Sequence, residues 1–244
     1  MEKWLLVLGA SSDIAKATAQ QFAEKGFNIH LAHQKHEKLK NFAGDLEVRH
    51  NIKTQTHIFD ALNIKSHDAF YKKIKQKPEA VLCAVGYLGD QKKAEKDQLE
   101  AQKTIDINFT GCASILQIIA QDFEKKKKGS ILCITSVAGD RGRQSNYVYG
   151  SAKAGLSAFL SGLRVRMAKS KVSVTDIKPG FVNTSMTAGM DLPKPLIAEP
   201  EEVAADIFKA YKKKKNMIYT KWFWRYIMLI IKNIPEFVFK KLSL

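Results

Sequence analysis

Six short, largely apolar runs punctuate this chain, and helical patterns or turns separate them. The runs are 3–8, 28–32, 57–60, 79–85, 130–135 and 172–177. Brief apolar runs of this kind are typical of strands covered on both faces. Strands buried that way need helices above and below, so the alternation predicts a parallel, doubly wound α/β sheet flanked by helices. Helices are expected at about 14–25, 66–76, 97–124 and 147–168, with a lysine-rich helical pattern after residue 35. No internal repeat or linker interrupts the order, so residues 1–244 are expected to form one domain, with a basic and aromatic tail over 212–244.

A chain of 244 residues is long enough to bury a full core. Its net charge of +16 would suit an anionic membrane, nucleic acid, an anionic substrate, or solubility alone. No nucleic-acid reader motif accompanies the charge, which argues against nucleic acid as a partner. Cys83, Cys112 and Cys133 lie in apolar runs without CxxC spacing. They read as reduced core residues of a cytoplasmic protein, not as a disulfide framework or a zinc site. His30, His33 and His36 recur every third residue, but no other histidine has comparable spacing, and no metal is expected. The run Trp4–Leu8 is brief and leads into a turn and a helix, so it reads as a buried strand and not a secretory segment. No run approaches the ~20 apolar residues needed to cross a bilayer.

Two stretches carry chemistry. The first is Gly9-Ala10-Ser11-Ser12-Asp13-Ile14-Ala15, between the first strand and the first helix. Backbone N–H groups at a helix start, reached through a glycine turn, can hold a pyrophosphate. Only one glycine is present here, and Asp13 either brings a carboxylate to that turn or caps the helix. The second strand ends at His33-Gln34-Lys35, where no acid is available to grip a ribose and a 2′-phosphate would be tolerated. The second stretch is Tyr149-Gly150-Ser151-Ala152-Lys153. In a helix, Tyr149 and Lys153 share a face one turn apart, and a phenol beside an ammonium is an acid whose anion is stabilised. Tyr147 is the rival acid, but Ser151 stands four residues on where Tyr149 has its lysine.

Taken in order, these pieces resemble the short-chain dehydrogenase/reductase family over nearly the full length. The order is Gly9 with Ser11-Ser12-Asp13-Ile14, Asp60, Cys83-Ala84-Val85-Gly86, Asn108, Ser136, Tyr149, Lys153 and Pro179-Gly180-Phe181-Val182-Asn183-Thr184. The resemblance implies a Rossmann-like fold and an NAD(P)H-dependent oxidoreductase that turns a ketone into a secondary alcohol. It makes Tyr149 the general acid, with Lys153 stabilising the phenolate and holding the nicotinamide ribose. Ser136 would hydrogen-bond the substrate oxygen, and Asn108 would anchor a proton-relay water. Asp60, with Ala61 beside it, would meet the adenine. His33, Ala84, Val85, Gly86, Pro179, Gly180 and Val182 would line the cofactor, and Thr184 would meet its carboxamide. Asp13 and Ala15 depart from the family's glycines, and Cys83-Ala84-Val85-Gly86 replaces the usual Asn-Asn-Ala-Gly. The preference between NADH and NADPH stays open.

Two segments resemble one branch of the family more narrowly: Ser136 to Gly150, and the tail from Trp224-Arg225-Tyr226 to Leu242. That branch reduces decaprenylphosphoryl-2-keto-erythro-pentose and works with a partner oxidase that makes the keto sugar. Arg141 and Arg143, with Val137, would then meet the substrate, the arginines clamping an anionic group or else standing solvated. The tail either touches an anionic membrane peripherally, on its inner face, or packs over the cleft or a subunit interface. Alternative functions are a 3-oxoacyl-thioester or other small-ketone reductase, and a cofactor-binding sensor or scaffold. By analogy with the family, a homodimer or homotetramer paired through the Asn108 and Tyr149 helices is expected.

Overall fold

The computed structural model describes residues 2–242. In chain order the elements are β1 (Trp4–Leu8), α1 (Asp13–Ala23), β2 (Asn28–His33), α2 (Lys40–His50), β3 (Thr54–Ile58), α3 (His67–Lys73) and β4 (Ala80–Cys83). Next come α4 (Gln91–Ala94), α5 (Gln98–Ile105), α6 (Gly111–Lys126), β5 (Ser130–Ile134), α7 (Tyr147–Met167) and β6 (Ser173–Pro179). The last elements are β7 (Phe181–Val182), β8 (Ile197–Ala198), α8 (Pro200–Lys212), β9 (Met217–Thr220), α9 (Trp224–Asn233) and α10 (Glu236–Phe239).

Seven strands form one parallel sheet in the order β3-β2-β1-β4-β5-β6-β9, and β7 pairs with β8 apart from it. Every residue of β1 is buried, and the pleat sorts them by parity. Leu5 and Val7 join Ala15, Ala19 and Phe22 of α1 and Val203 and Ile207 of α8 on one face. Leu6 and Leu8 join Ile115 and Ile119 of α6 and Leu156 and Leu160 of α7 on the other. Continuous apolar strands therefore have helices on both sides, which is what makes the parallel sheet stable.

The helices run antiparallel to the strands, so their C-termini gather at the strands' N-terminal edge. Lys72, Lys73, Lys125, Lys126, Arg164, Arg166, Lys209 and Lys212 all lie in last turns, where the helix dipole favours cations. These eight of the forty Lys and Arg side chains are accounted for by helix ends, at the pole opposite the strands' C-terminal ends.

Three differences from the sequence reading have physical causes. The third strand lies at Thr54–Ile58, not 57–60, because it is a partly exposed edge whose run of four polar residues hides it; Ile58 is 64% exposed. The helix expected at 97–124 is interrupted by a π-turn over Asp106–Thr110. The tail is not one unit: Met217–Thr220 is the seventh strand, paired on β6, and the segment from Lys221 to Leu242 lies outside the sheet. Among the described residues, no helix is long and apolar enough to cross a membrane.

Candidate active site

The strand order reverses between β2-β1 and β4-β5, which opens a crevice beyond the strands' C-terminal ends. Gly9 stands at its floor with φ +77°, and a Cβ there would lie 2.8 Å from the backbone of Ala84 and Val85. That close approach leaves a groove of about 390 Å³ lined by Gly9, Ser11, Ser12, His33, Ala61 and Val85, among others. Ser12, not Asp13, caps α1: its hydroxyl accepts from Ala15 N at 3.2 Å. The Asp13 carboxylate instead accepts from Ser185 N at 2.8 Å and Ser185 Oγ at 3.0 Å, across the cleft. The capping alternative is therefore replaced by a bridge to the loop after β7. Ile14 and Ser12 line the inner cleft. His33 Nδ1 accepts from Lys35 N at 3.0 Å, which fixes its ring at the groove edge. Asp60 Oδ1 accepts from Gln34 Nε2 at 2.6 Å and from Leu62 N at 3.0 Å, so the carboxylate is tied to the end of β2.

The inner cleft, about 240 Å³, brings together Ser136, Tyr149, Lys153, Gly86, Pro179 and Thr184 from separate elements. Lys153 is 2% exposed, and its Nζ donates to Ile134 O at 3.1 Å and lies 5.7 Å from the Tyr149 ring centre. Burial works against its charge. The negative charge that Tyr149, and then Cys112, Cys133 and Cys83, would carry when ionised opposes that, and the balance leaves it above the ordinary lysine value. Hydrogen bonding to Cys83 and burial push the Cys112 and Cys133 thiols up, while hydrogen bonds from that same pair hold Cys83 down. Ser136 Oγ accepts from Ala138 N at 3.1 Å, which pins the hydroxyl at the start of a short 3₁₀ turn.

Asn108 sits inside the π-turn and is fully buried. Its Nδ2 donates to Tyr87 O at 2.6 Å and to Thr104 O at 2.8 Å, and its Oδ1 accepts from Tyr87 N at 3.1 Å. That side chain holds the loop after β4 beside Lys153, and its Oδ1 keeps a second acceptor site open. A π-turn at a functional position is a recurrent device, and it left no trace in the helical periodicity.

The two arginines part company. Arg141 Nη1 donates to Ile231 O at 2.8 Å and to Ile234 O at 2.6 Å, Nη2 pairs with Glu236 at 3.0 Å, and Phe239 covers the guanidinium. It staples the C-terminal segment and does not line the cleft, which corrects the expected two-arginine clamp. Arg143 does line the cleft, together with Val137. Its Nη2 touches Met228 Sδ at 3.4 Å and its Nε has no partner among the described residues, while burial pulls it below the ordinary arginine value.

Sequence reasoning missed Phe181, Met186, Met190 and Leu88, which make this wall apolar. It also missed Trp224, whose ring occupies the space a Gly180 side chain would need: a Cβ there would lie 2.0 Å from it. The glycine in Pro179-Gly180 was the available signal. Below the wall, Asp140 accepts from Lys178 Nζ and from Tyr219 OH at 2.7 Å, which ties the Ser136 loop to β6 and β9. Tyr147 is outside the inner cleft. Among the described residues no group of His, Cys, Asp and Glu converges to hold a metal.

Residues 3–194 match the family profile described as short chain dehydrogenase. The chain belongs to the short-chain dehydrogenase family. It is an oxidoreductase of that family. Over 241 residues it is 32% identical to an uncharacterized oxidoreductase of Mycobacterium tuberculosis, covering 98% of this chain and 96% of that one. Its fold is similar to a 7β-hydroxysteroid dehydrogenase, with TM-score 0.87 at 17% identity over 99% of this chain and 96% of that one. A short-chain dehydrogenase of Sphingobium yanoikuyae in complex with NADPH gives TM-score 0.83 at 18% identity, over 96% and 97% of the two chains. At these identities the solved structures speak for the fold alone.

Proposed function

We propose that this short-chain dehydrogenase is an NAD(P)H-dependent ketoreductase whose ketone carries an anionic group, in the class of polyprenyl-phosphate-linked 2-keto sugars. A reduced nicotinamide dinucleotide would supply the hydride. The residues present fit such a cofactor: the Gly9 backbone approach, the start of α1 and the open groove beside His33 suit an extended dinucleotide. No acid stands at Gln34 or Lys35, which leaves room for a 2′-phosphate, so both NADH and NADPH are accommodated.

In this reading Tyr149 donates its phenolic proton to the carbonyl oxygen as that oxygen gains charge, and Ser136 Oγ donates a hydrogen bond to the same atom. Lys153 keeps an ammonium beside the phenol. Asn108 holds the loop that shapes the cleft above Lys153. The ketone becomes a secondary alcohol, and solvent restores the tyrosine's proton.

Arg143 is the observation that carries the substrate class. A guanidinium stays charged in proteins, and the part-buried Arg143 finds only the weak Met228 sulfur at Nη2, where an oxygen acceptor would be stronger. An anionic substrate group would supply that acceptor, while Phe181, Met186 and Met190 suit the apolar remainder of a lipid-linked molecule. The reading includes a partner oxidase as the source of the keto sugar and a cytoplasmic location. It also includes pairing of copies through the α5, α6 and α7 faces, where Leu99 and Val165 stand exposed.

Arg143→Gln is expected to raise KM for a phosphate-bearing ketone by roughly tenfold to a hundredfold, the loss of a charge-assisted hydrogen bond. A neutral ketone should keep its KM. Equal effects on both would remove the anionic substrate and favour a small-ketone reductase. Absence of cofactor oxidation with any ketone would favour the sensor.

A further inference from the structure

Helix α9 is buried on one side and apolar on the other. Trp224, Ile227, Met228 and Ile231 turn inward against Val137, Phe181 and Tyr219. The outward side holds Tyr226, Leu229 and Ile230, which are 58%, 61% and 67% exposed. Trp222, 71% exposed just before the helix, meets Tyr226 edge-on at 6.0 Å between ring centres. This is a fixed surface, because Arg141 bonds the carbonyls at the end of α9 and Trp224 is wedged against Gly180. Large apolar side chains held together in water mark an interaction site.

The charge around the patch indicates what covers it. Residues 221–242 contain five cations, Lys221, Arg225, Lys232, Lys240 and Lys241, and one acid, Glu236. Glu236 is already paired with Arg141 at 3.0 Å, and Lys221 lies 3.5 Å from Glu202. Arg225 and Lys232, seven residues apart, border one side of the apolar stripe. A second copy docked about a two-fold axis would bring these cations toward their own equivalents. An anionic lipid surface would set them against phosphates, with the aromatic and aliphatic side chains entering the headgroup boundary. These cations are also distinct from those at the opposite pole, which the helix dipoles account for.

We propose that the outward face of α9, with Trp222 at its leading edge, docks the protein on an anionic bilayer. The inward face of the same helix backs the substrate wall through Trp224, so docking holds the cleft close to the lipid. This surface stands on its own observations, whichever ketone is reduced.

The test is sedimentation of the full-length protein with phosphatidylcholine vesicles, with and without phosphatidylglycerol, read alongside tryptophan emission. Trp4 and Trp224 are 4% and 3% exposed, so a blue shift on adding vesicles reports Trp222. The expected result is co-sedimentation and a blue shift with phosphatidylglycerol vesicles and much less of either without it. Leu229→Gln with Ile230→Gln should weaken partitioning roughly tenfold or more. Arg225→Gln with Lys232→Gln should also weaken it, and both pairs should keep cofactor binding and thermal stability. Absence of co-sedimentation would overturn the proposal, as would vesicle binding that ignores the Leu229 and Ile230 pair. Light scattering that shows this pair dissociating a dimer, with vesicle binding intact, would reassign the face to a second copy.

Discussion

The proposed cofactor and substrate walls of the cleft are built from different materials. The cofactor wall is mostly backbone: Gly9 against Ala84 and Val85, the capped start of α1, and the loop that Asn108 pins. The substrate wall is side chains from distant parts of the chain, with Arg143, Phe181, Met186 and Met190 facing in and Trp224 wedged behind. A backbone wall tolerates sequence change provided its close approaches survive, and here the one glycine, Gly9, makes that approach. A side-chain wall changes with each substitution. Cofactor binding is therefore expected to be the robust property of this molecule and substrate choice the adjustable one.

The largest effect is expected at the seam between the walls. Tyr149→Phe removes the proposed proton donor and leaves the ring in place. Turnover should fall by roughly a hundredfold to ten-thousandfold, the usual contribution of a positioned acid. Nicotinamide fluorescence should show unchanged cofactor affinity. Retained turnover would mean that another group protonates the carbonyl.

Two glycines then test the walls separately. Gly9→Ala places a Cβ 2.8 Å from backbone atoms that cannot yield, at a φ of +77°. It should cost most of the affinity for both NADH and NADPH, roughly a hundredfold by titration. Gly180→Ala places its Cβ 2.0 Å from the Trp224 ring, so the ring and α9 must shift. Here the ketone's KM should rise about tenfold and the emission of Trp224 should change, with cofactor affinity unaltered. If Gly180→Ala weakens the cofactor as much as Gly9→Ala does, the walls are not independent. The contrast between them would then fail.

How much was legible beforehand obeys the same division. The strand–turn–helix at Gly9 and the Tyr149–Lys153 pair are local patterns, each weak alone and legible through its place in the ordered set that resembles the family. β3 was misplaced because an edge strand carries Thr54, Gln55 and Thr56 in place of an apolar run. β9 was missed because four residues between a lysine run and an aromatic cluster give no periodicity to detect. Arg141 and Arg143 look equivalent in sequence, and only tertiary packing sends one to the tail and the other to the cleft. The Asp13 bridge to Ser185 spans 172 residues, and nothing local announces it.

The last predicted effect falls on stability and not on turnover, and comes from a buried histidine pair in the cofactor half. His30 Nε2 lies 2.8 Å from Gln76 O, and its Nδ1 lies 3.0 Å from His57 Nε2. A carbonyl only accepts, so Nε2 carries the His30 proton and Nδ1 accepts from His57. Trp4 stacks on the ring at 4.3 Å. Burial is the main reason the His30 value is lowered from 6.5 to about 4, and the same cause lowers His57. A second proton on His30 would meet the His57 N–H with no acceptor left. The unfolded chain protonates first as pH falls, so the folded state loses stability between about pH 6.5 and pH 4 and loses no more from this group below that. The slope for one such group approaches about 1.4 kcal/mol per pH unit. Thermal unfolding from pH 7 to pH 4.5 should show it, and His30→Gln should flatten the curve relative to the parent by that amount. A variant that keeps the parent slope would place the acid sensitivity on a group other than His30.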